Sequence, residues 1–248
     1  MNPTARRFLL WSFFISYPCF VILIWLERVS PEWWHGPVRY LLLVLGCLGP
    51  IIGGMAAGEE RDELKKPPEV SREWLLAAQF LGLHYVLLFF LRMIGPAADG
   101  EQKLLRLFPM ILLLGAQELG WRRVLQPALE RSRKSWKATA ATGLITSLWF
   151  LPLLFLPWFP VRAEAYLPFA VWLLGLSFLQ SALYRRTGSV HCTALFTAVF
   201  FLLAGILPMV NENAYYVAGG LDILVSFLYQ SRLIKENERT GVPVKHKG

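Results

Sequence analysis

Residues 138–157 read ATAATGLITSLWFLPLLFLP, twenty positions without one charged side chain, and they follow directly on Arg131, Arg133, Lys134 and Lys137. At a helical rise of about 1.5 Å per residue such a run is about 30 Å long, the thickness of a bilayer's hydrocarbon core. Seven further apolar blocks flank it: Phe8–Leu26, Tyr40–Ala57, Trp74–Leu91, Leu104–Leu119, Tyr166–Tyr184, Ser189–Leu207 and Ala214–Tyr229. Composition agrees. Of 248 residues 55% are hydrophobic and 17% charged, and the mean hydropathy is +0.45. A soluble domain carries about 45–50% apolar and about 25% charged residues. The expected fold is all-α, a polytopic membrane bundle of about eight helices in a single domain over residues 1–248. A disulfide-stapled secreted domain, a soluble Rossmann-type enzyme and a disordered scaffold are excluded.

The net charge of +8 is sorted by loop. Arg6 and Arg7 precede the first block. Arg61, Lys65, Lys66 and Arg72 follow the second, and Arg122, Arg123, Arg131, Arg133, Lys134 and Lys137 follow the fourth. Arg185 and Arg186 follow the sixth, and Arg232, Lys235, Arg239, Lys245 and Lys247 follow the eighth. The alternate loops hold only Arg28 and Arg39, then Arg92 and Lys103 with Arg106 just inside the next block, then Arg162. By the positive-inside bias, both ends of the chain are cytoplasmic. That sorting accounts for the basic surplus, so no nucleic-acid partner is expected. The N-terminal block lacks a small-x-small cleavage site before Trp25 and reads as the first span. Residues 59–73, broken at Pro67–Pro68, form a charged loop, and residues 230–248 a short polar tail.

Cys19, Cys47 and Cys192 all lie in apolar blocks without metal spacing and read as buried core thiols. No histidines share i, i+4 spacing, and no P-loop, GxSxG elbow or Rossmann glycine pattern occurs. No metal or cofactor is expected. Seven tryptophans, Trp25, Trp33, Trp34, Trp74, Trp121, Trp136 and Trp158, fall near block ends, as an interfacial aromatic belt would place them. Ionisable groups inside lipid are costly, so His84 in the third block and Asp222 in the eighth stand out. His84 reads as a hydrogen-bonded core residue with Asp222 as one conceivable partner. His191 opens the seventh block, and His35 and His246 lie in loops.

The densest polar cluster is Gln117-Glu118-Leu119-Gly120-Trp121-Arg122-Arg123. Gln117 and Trp121 are four apart, as are Glu118 and Arg122, so on a helix each pair shares a face. Taken alone, Arg122 and Arg123 read as stop-transfer charges with Glu118 neutralised by Arg122. Downstream stand Leu148-Trp149-Phe150-Leu151-Pro152-Leu153 and Tyr184-Arg185-Arg186-Thr187-Gly188-Ser189.

Together these three blocks, over roughly Leu112 to Leu203, resemble the CAAX-protease and bacteriocin-processing (CPBP or Abi) family of intramembrane proteases. The family's common forms are Glu-Glu-Leu-Gly-Trp-Arg, Trp-His-x-Pro-Leu, and an Arg-Thr-Gly-Ser turn before a helix bearing His-x-x-x-Asn. The resemblance implies a protease-like core over about residues 104–207, in a multi-pass protein of a bacterial inner (plasma) membrane. Glu118 and Arg122 fall on family positions. The family's water-activating glutamate falls on Gln117, its two histidines on Phe150 and Thr197, and its asparagine on Phe201. A glutamine amide does not take a proton from water near neutral pH, and phenylalanine neither orients nor polarises a reactant by hydrogen bonding. Helical rise places Phe150 about 6 Å deeper than Thr197, a strain on that assignment. A second echo, Glu59-Glu60 followed by Phe80…His84, lacks an arginine at the required spacing.

The expectation is a degenerate member. It would use the cavity around Gln117, Glu118, Trp121, Arg122, Phe150 and Thr197 to bind a membrane-embedded protein or peptide without cutting it. The runner-up is an active endopeptidase with Glu118 as base and His84 or His191 as acid. A third reading is a subunit or assembly factor of a membrane complex.

Overall fold

The structure, a computed structural model, describes residues 2–29, 37–58, 70–97 and 111–240. Among them the chain forms eight helical segments and no strand, with one isolated bridge between Ile94 and Met209. These are α1 (Pro3–Val29), α2 (Pro37–Ala56), α3 (Val70–Phe90), α4 (residues 111–130), α5 (Ser135–Phe150, continued as a 3₁₀ turn over Leu151–Phe155), α6 (Tyr166–Thr187), α7 (Val190–Ile206) and α8 (Glu212–Thr240). The protein is an all-α membrane helical bundle. Four stretches, Pro3–Val29, Pro37–Ala56, Ser135–Phe155 and Ala163–Thr187, are long and apolar enough to cross a membrane, and Trp74–Phe90 and Val190–Ile206 are shorter apolar helices.

Two expectations change. The fourth block does not end at Leu119, because α4 runs on through Arg122 and Arg123 to Glu130. The polar tail is helical as far as Thr240, since α8 continues past Tyr229. Of the charged loop expected over residues 59–73, residues 59–69 lie outside the described residues, as do His35 and His246, while residues 70–73 already belong to α3.

Small residues set the packing, as they do where lipid supplies no hydrophobic drive between helices. Ser12, Ser16 and Phe20 of α1 lie against Gly53, Gly49 and Gly46 of α2 in reverse order, which makes the pair antiparallel. Val171 and Phe178 of α6 meet Gly219 and Ser226 of α8 in the same order, which makes that pair parallel. Gly188, at φ 65°, closes α6 in the left-handed conformation that glycine adopts without a Cβ clash, and Ser189 caps α7 by accepting the Cys192 amide. This is the Arg-Thr-Gly-Ser turn of the sequence.

Polar ties gather at each end. At one end Arg185 donates to Thr139 (2.8 Å) and pairs with Glu130 (3.3 Å), while Asn2 donates to the Ala128 carbonyl (3.4 Å). At the other, Glu27 pairs with Arg39 (3.1 Å) and accepts the Trp158 indole N–H (3.0 Å).

The α6–α8 crossing is a sensitive point. A Cβ on Gly175 would lie 2.5 Å from the Gly219 carbonyl oxygen, whereas one on Gly220 would meet nothing within 4 Å. Gly175→Ala is expected to cost about 1–3 kcal/mol by overpacking against backbone. Gly220→Ala should be neutral or stabilising by about 0.5–1 kcal/mol from lost unfolded-state freedom. Thermal unfolding of both variants in one detergent checks the contrast.

Candidate functional site

The polar motif sits where α4 changes its winding. Residues 111–116 are α-helical, Glu118–Gly120 resume after a turn at Gln117, Trp121–Leu125 form a π-helical turn, and Gln126–Glu130 return to α. The Gln126 amide reaches back five residues to the Trp121 carbonyl. Single π-turns of this kind occur mostly within α-helices and often at functional sites. Two close approaches clamp the segment. Gly115 lies against the Ala194 backbone of α7, and Gly120 against the Pro50 carbonyl of α2.

Along this helix a polar stripe advances four residues at a time. Trp121 Nε1 donates to Gln117 Oε1 (3.3 Å), Arg122 Nε to Glu118 Oε2 (3.0 Å), Arg122 Nη1 to Gln126 Oε1 (2.7 Å) and Gln126 Nε2 to Glu130 Oε1 (3.0 Å). From α6, Ser177 accepts Arg122 Nη2 (3.0 Å), and Gln180 Oε1 accepts it as well. Gln180 Nε2 donates to Glu118 Oε1 (2.9 Å) and to Thr197 Oγ1 of α7 (2.7 Å). Ser181 accepts Gln126 Nε2 (2.7 Å). Every one of these groups except Glu130 is buried. Both oxygens of Glu118 are engaged, which is what a charge withdrawn from water demands.

One cavity draws together all six positions named from the resemblance. Gln117, Glu118, Arg122, Phe150, Thr197 and Phe201 line it with Leu114, Trp121, Thr146, Leu173, Leu176, Ser177 and Gln180. Its free space is about 20 Å³, room for about one water molecule. The 6 Å depth discrepancy resolves through Phe201. The Phe150 ring lies 6.0 Å from that of Phe201, which is one turn beyond Thr197. Phe150 thus sits level with the asparagine position rather than with the second histidine position.

Trp121 is a correction. It is buried rather than interfacial, packed edge-on to Phe8 at 5.2 Å and near Trp149 at 6.4 Å, because the π-turn rolls it into the bundle. His84 and Asp222 meet, with Nδ1 2.6 Å from Oδ1, and join α3 to α8. They lie away from the cavity, behind Phe200, whose ring is 4.7 Å from the imidazole. His191 is exposed on the first turn of α7. The structure therefore brings neither histidine of the runner-up mechanism to Glu118, and no histidine lines the cavity.

Ser177, Gln180 and Ser181 were missed by the motif reading, and Gln126, in the Leu125-Gln126-Pro127 that follows the motif, was given no role. Their signal was present, since polar side chains inside an apolar block are costly and must find partners. Ser177, Gln180 and Ser181 recur at the three- and four-residue spacing of one helix face.

Residues 100–203 match the family model of type II CAAX prenyl endopeptidase Rce1-like proteins. Over these residues the chain is similar to the Rce1-like family. No curated protein matches the chain. The Rce1-like segment runs through α7 as far as Leu203 and supplies every residue lining the cavity, whereas His84 and Asp222 lie outside it.

Arg122→Met leaves Glu118 buried without its countercharge and is expected to cost about 3–5 kcal/mol. Glu118→Gln/Arg122→Met removes both charges and should recover most of that loss. Unfolding of the two variants in detergent checks the order.

Proposed function

We propose that this Rce1-like protein is a multi-pass protein of a bacterial plasma membrane with both ends cytoplasmic, and that it binds a segment of another membrane protein against the wall of its protease-type cavity without cutting it. The observation that carries the reading is the state of Glu118. A general base needs a carboxylate oxygen open to a water and, in this family's pattern, a second carboxylate and imidazoles to share the proton traffic. Here both Glu118 oxygens accept hydrogen bonds from Arg122 and Gln180, and an amide stands at the neighbouring position. Phe150 and Phe201 occupy positions where the family places groups that orient reactants. Losing one general base typically costs about 10²–10⁴ in rate, and losing the groups that stabilise developing charge adds a comparable factor.

Cavity access supports binding at a lateral seam. Of the thirteen lining residues only Thr146 on α5 and Phe201 on α7 are half-buried; the rest are buried. The wall is least covered between α5 and α7, on a surface a membrane-embedded partner reaches within the bilayer.

Wild-type protein in lipid vesicles is expected to leave a prenylated CAAX-type peptide uncut, at a rate equal to that of Glu118→Ala. Purified from native membranes in mild detergent, it should carry an intact membrane-protein partner that Glu118→Ala/Arg122→Ala loses. Cleavage by wild type that disappears in Glu118→Ala would overturn the reading.

A further inference from the structure

Gln117 has one polar atom to spare. Trp121 Nε1 is a donor only, so its 3.3 Å contact identifies the oxygen of the Gln117 amide and turns the nitrogen the other way. That nitrogen, Nε2, is buried and has no hydrogen-bond partner among the described residues. A buried donor left unsatisfied is costly, by about 1–3 kcal/mol, and this one belongs to a residue on the cavity wall. The other polar donors on that wall already have acceptors, Ser177 at the Thr139 carbonyl (3.0 Å) and Thr146 at the Thr142 carbonyl (2.9 Å) among them. Arg122 is spent on Glu118, Gln126, Ser177 and Gln180, and Thr197 accepts from Gln180 while donating to the Thr193 carbonyl (2.9 Å).

We infer that Gln117 Nε2 is a recognition donor, and that its ligand is a single backbone carbonyl oxygen from a broken or proline-interrupted transmembrane segment. This deepens the binding role proposed above and rests on it. A carboxylate here would present an acceptor to the cavity; the glutamine presents a donor, so the polarity of the site is reversed and it now fits an oxygen acceptor. The space fits too. About 20 Å³ admits about one water-sized atom, which is a carbonyl oxygen and not a side chain.

Depth selects the source of that oxygen. Thr197 lies about 12 Å along α7 from its Ser189 cap at the helical rise. That is well inside a hydrocarbon core of about 30 Å, whereas lipid ester carbonyls stay in the interfacial layer. A continuous transmembrane helix offers no carbonyl at such depth, because each is bonded within the helix. A proline frees the carbonyl four residues before it. The apolar side chains of Leu114, Leu173, Leu176, Phe150 and Phe201 supply walls that a membrane segment tolerates.

The test uses full-length protein in nanodiscs and two synthetic leucine–alanine helices of about twenty residues. One has a central proline and a ¹³C label on the carbonyl that the proline releases; the other has alanine at that position and the same label. Wild type should bind the proline peptide more tightly than its alanine counterpart, and the labelled carbonyl's infrared band should move to lower wavenumber on binding. Gln117→Met, close in shape but without the donor, should bind the proline peptide about tenfold more weakly, the worth of one such hydrogen bond, and abolish the band shift. Gln117→Glu should weaken it at least as much by presenting an acceptor to an acceptor. Both variants must keep the wild-type unfolding temperature within a few degrees, and the alanine peptide should not distinguish them. Equal binding of the proline peptide by wild type and Gln117→Met, or a band that does not move, would overturn the inference and leave the amide as a site for one buried water. A native partner retained by Gln117→Met but lost by Glu118→Ala/Arg122→Ala would sink this inference while sparing the binding role. Loss of that role itself would show as peptide cleavage.

Discussion

An ion pair withdrawn from water governs this molecule. Glu118 and Arg122 lie one helical turn apart on α4, both buried, and neither charge is tolerable there alone. Their needs reach across the bundle. Arg122 requires acceptors from α6, Glu118 requires a second donor, and Gln180 answers both while also holding Thr197 of α7. A buried pair of this kind is weak evidence for net stability, because a well-packed apolar substitute is often as stable. What it supplies here is register. It sets α4, α6 and α7 at one relative height, and the cavity exists at that height.

The same constraint underlies the proposal that the site does not hydrolyse. A carboxylate that must neutralise a buried guanidinium and accept from an amide has little freedom to serve as a base. The two phenylalanines then occupy volume where groups that manage protons would stand. The role proposed for the site is recognition, from one unspent amide donor among apolar walls. The His84–Asp222 pair obeys the same rule on the other side of Phe200. Two groups that lipid would reject singly are brought together at 2.6 Å by α3 and α8, where they hold the bundle rather than serve the cavity.

Much of this was legible before any coordinates. A twenty-residue uncharged run between basic segments dictates a membrane helix, because no other backbone arrangement satisfies its hydrogen bonds in hydrocarbon except a closed barrel. The pairing of Glu118 with Arg122, and of Gln117 with Trp121, followed from four-residue spacing alone. Residues 100–203, which match a protease family model, contain the short motifs that are readable in the chain itself. The all-α bundle and the likeness of residues 100–203 to that family were therefore determined by the sequence.

What only tertiary structure decided was which distant groups share a wall. Gln180 and Thr197 belong to helices joined by a turn at Gly188, and nothing local tells that both face Glu118. Phe150 looked misplaced by a turn because helical rise measures depth along one helix and ignores the offset between two; the Phe150–Phe201 contact supplies that offset. Trp121 read as interfacial from its position beside two arginines, yet the π-turn rotates it into the core, and no single-residue preference forecasts such a turn. His84 and Asp222 are 138 positions apart, and their meeting depends on how α3 and α8 cross. Local sequence sets the period and the charge of each helix. The angular facing and relative height of helices come from close-packed contacts between them, and those contacts exist only in the assembled bundle.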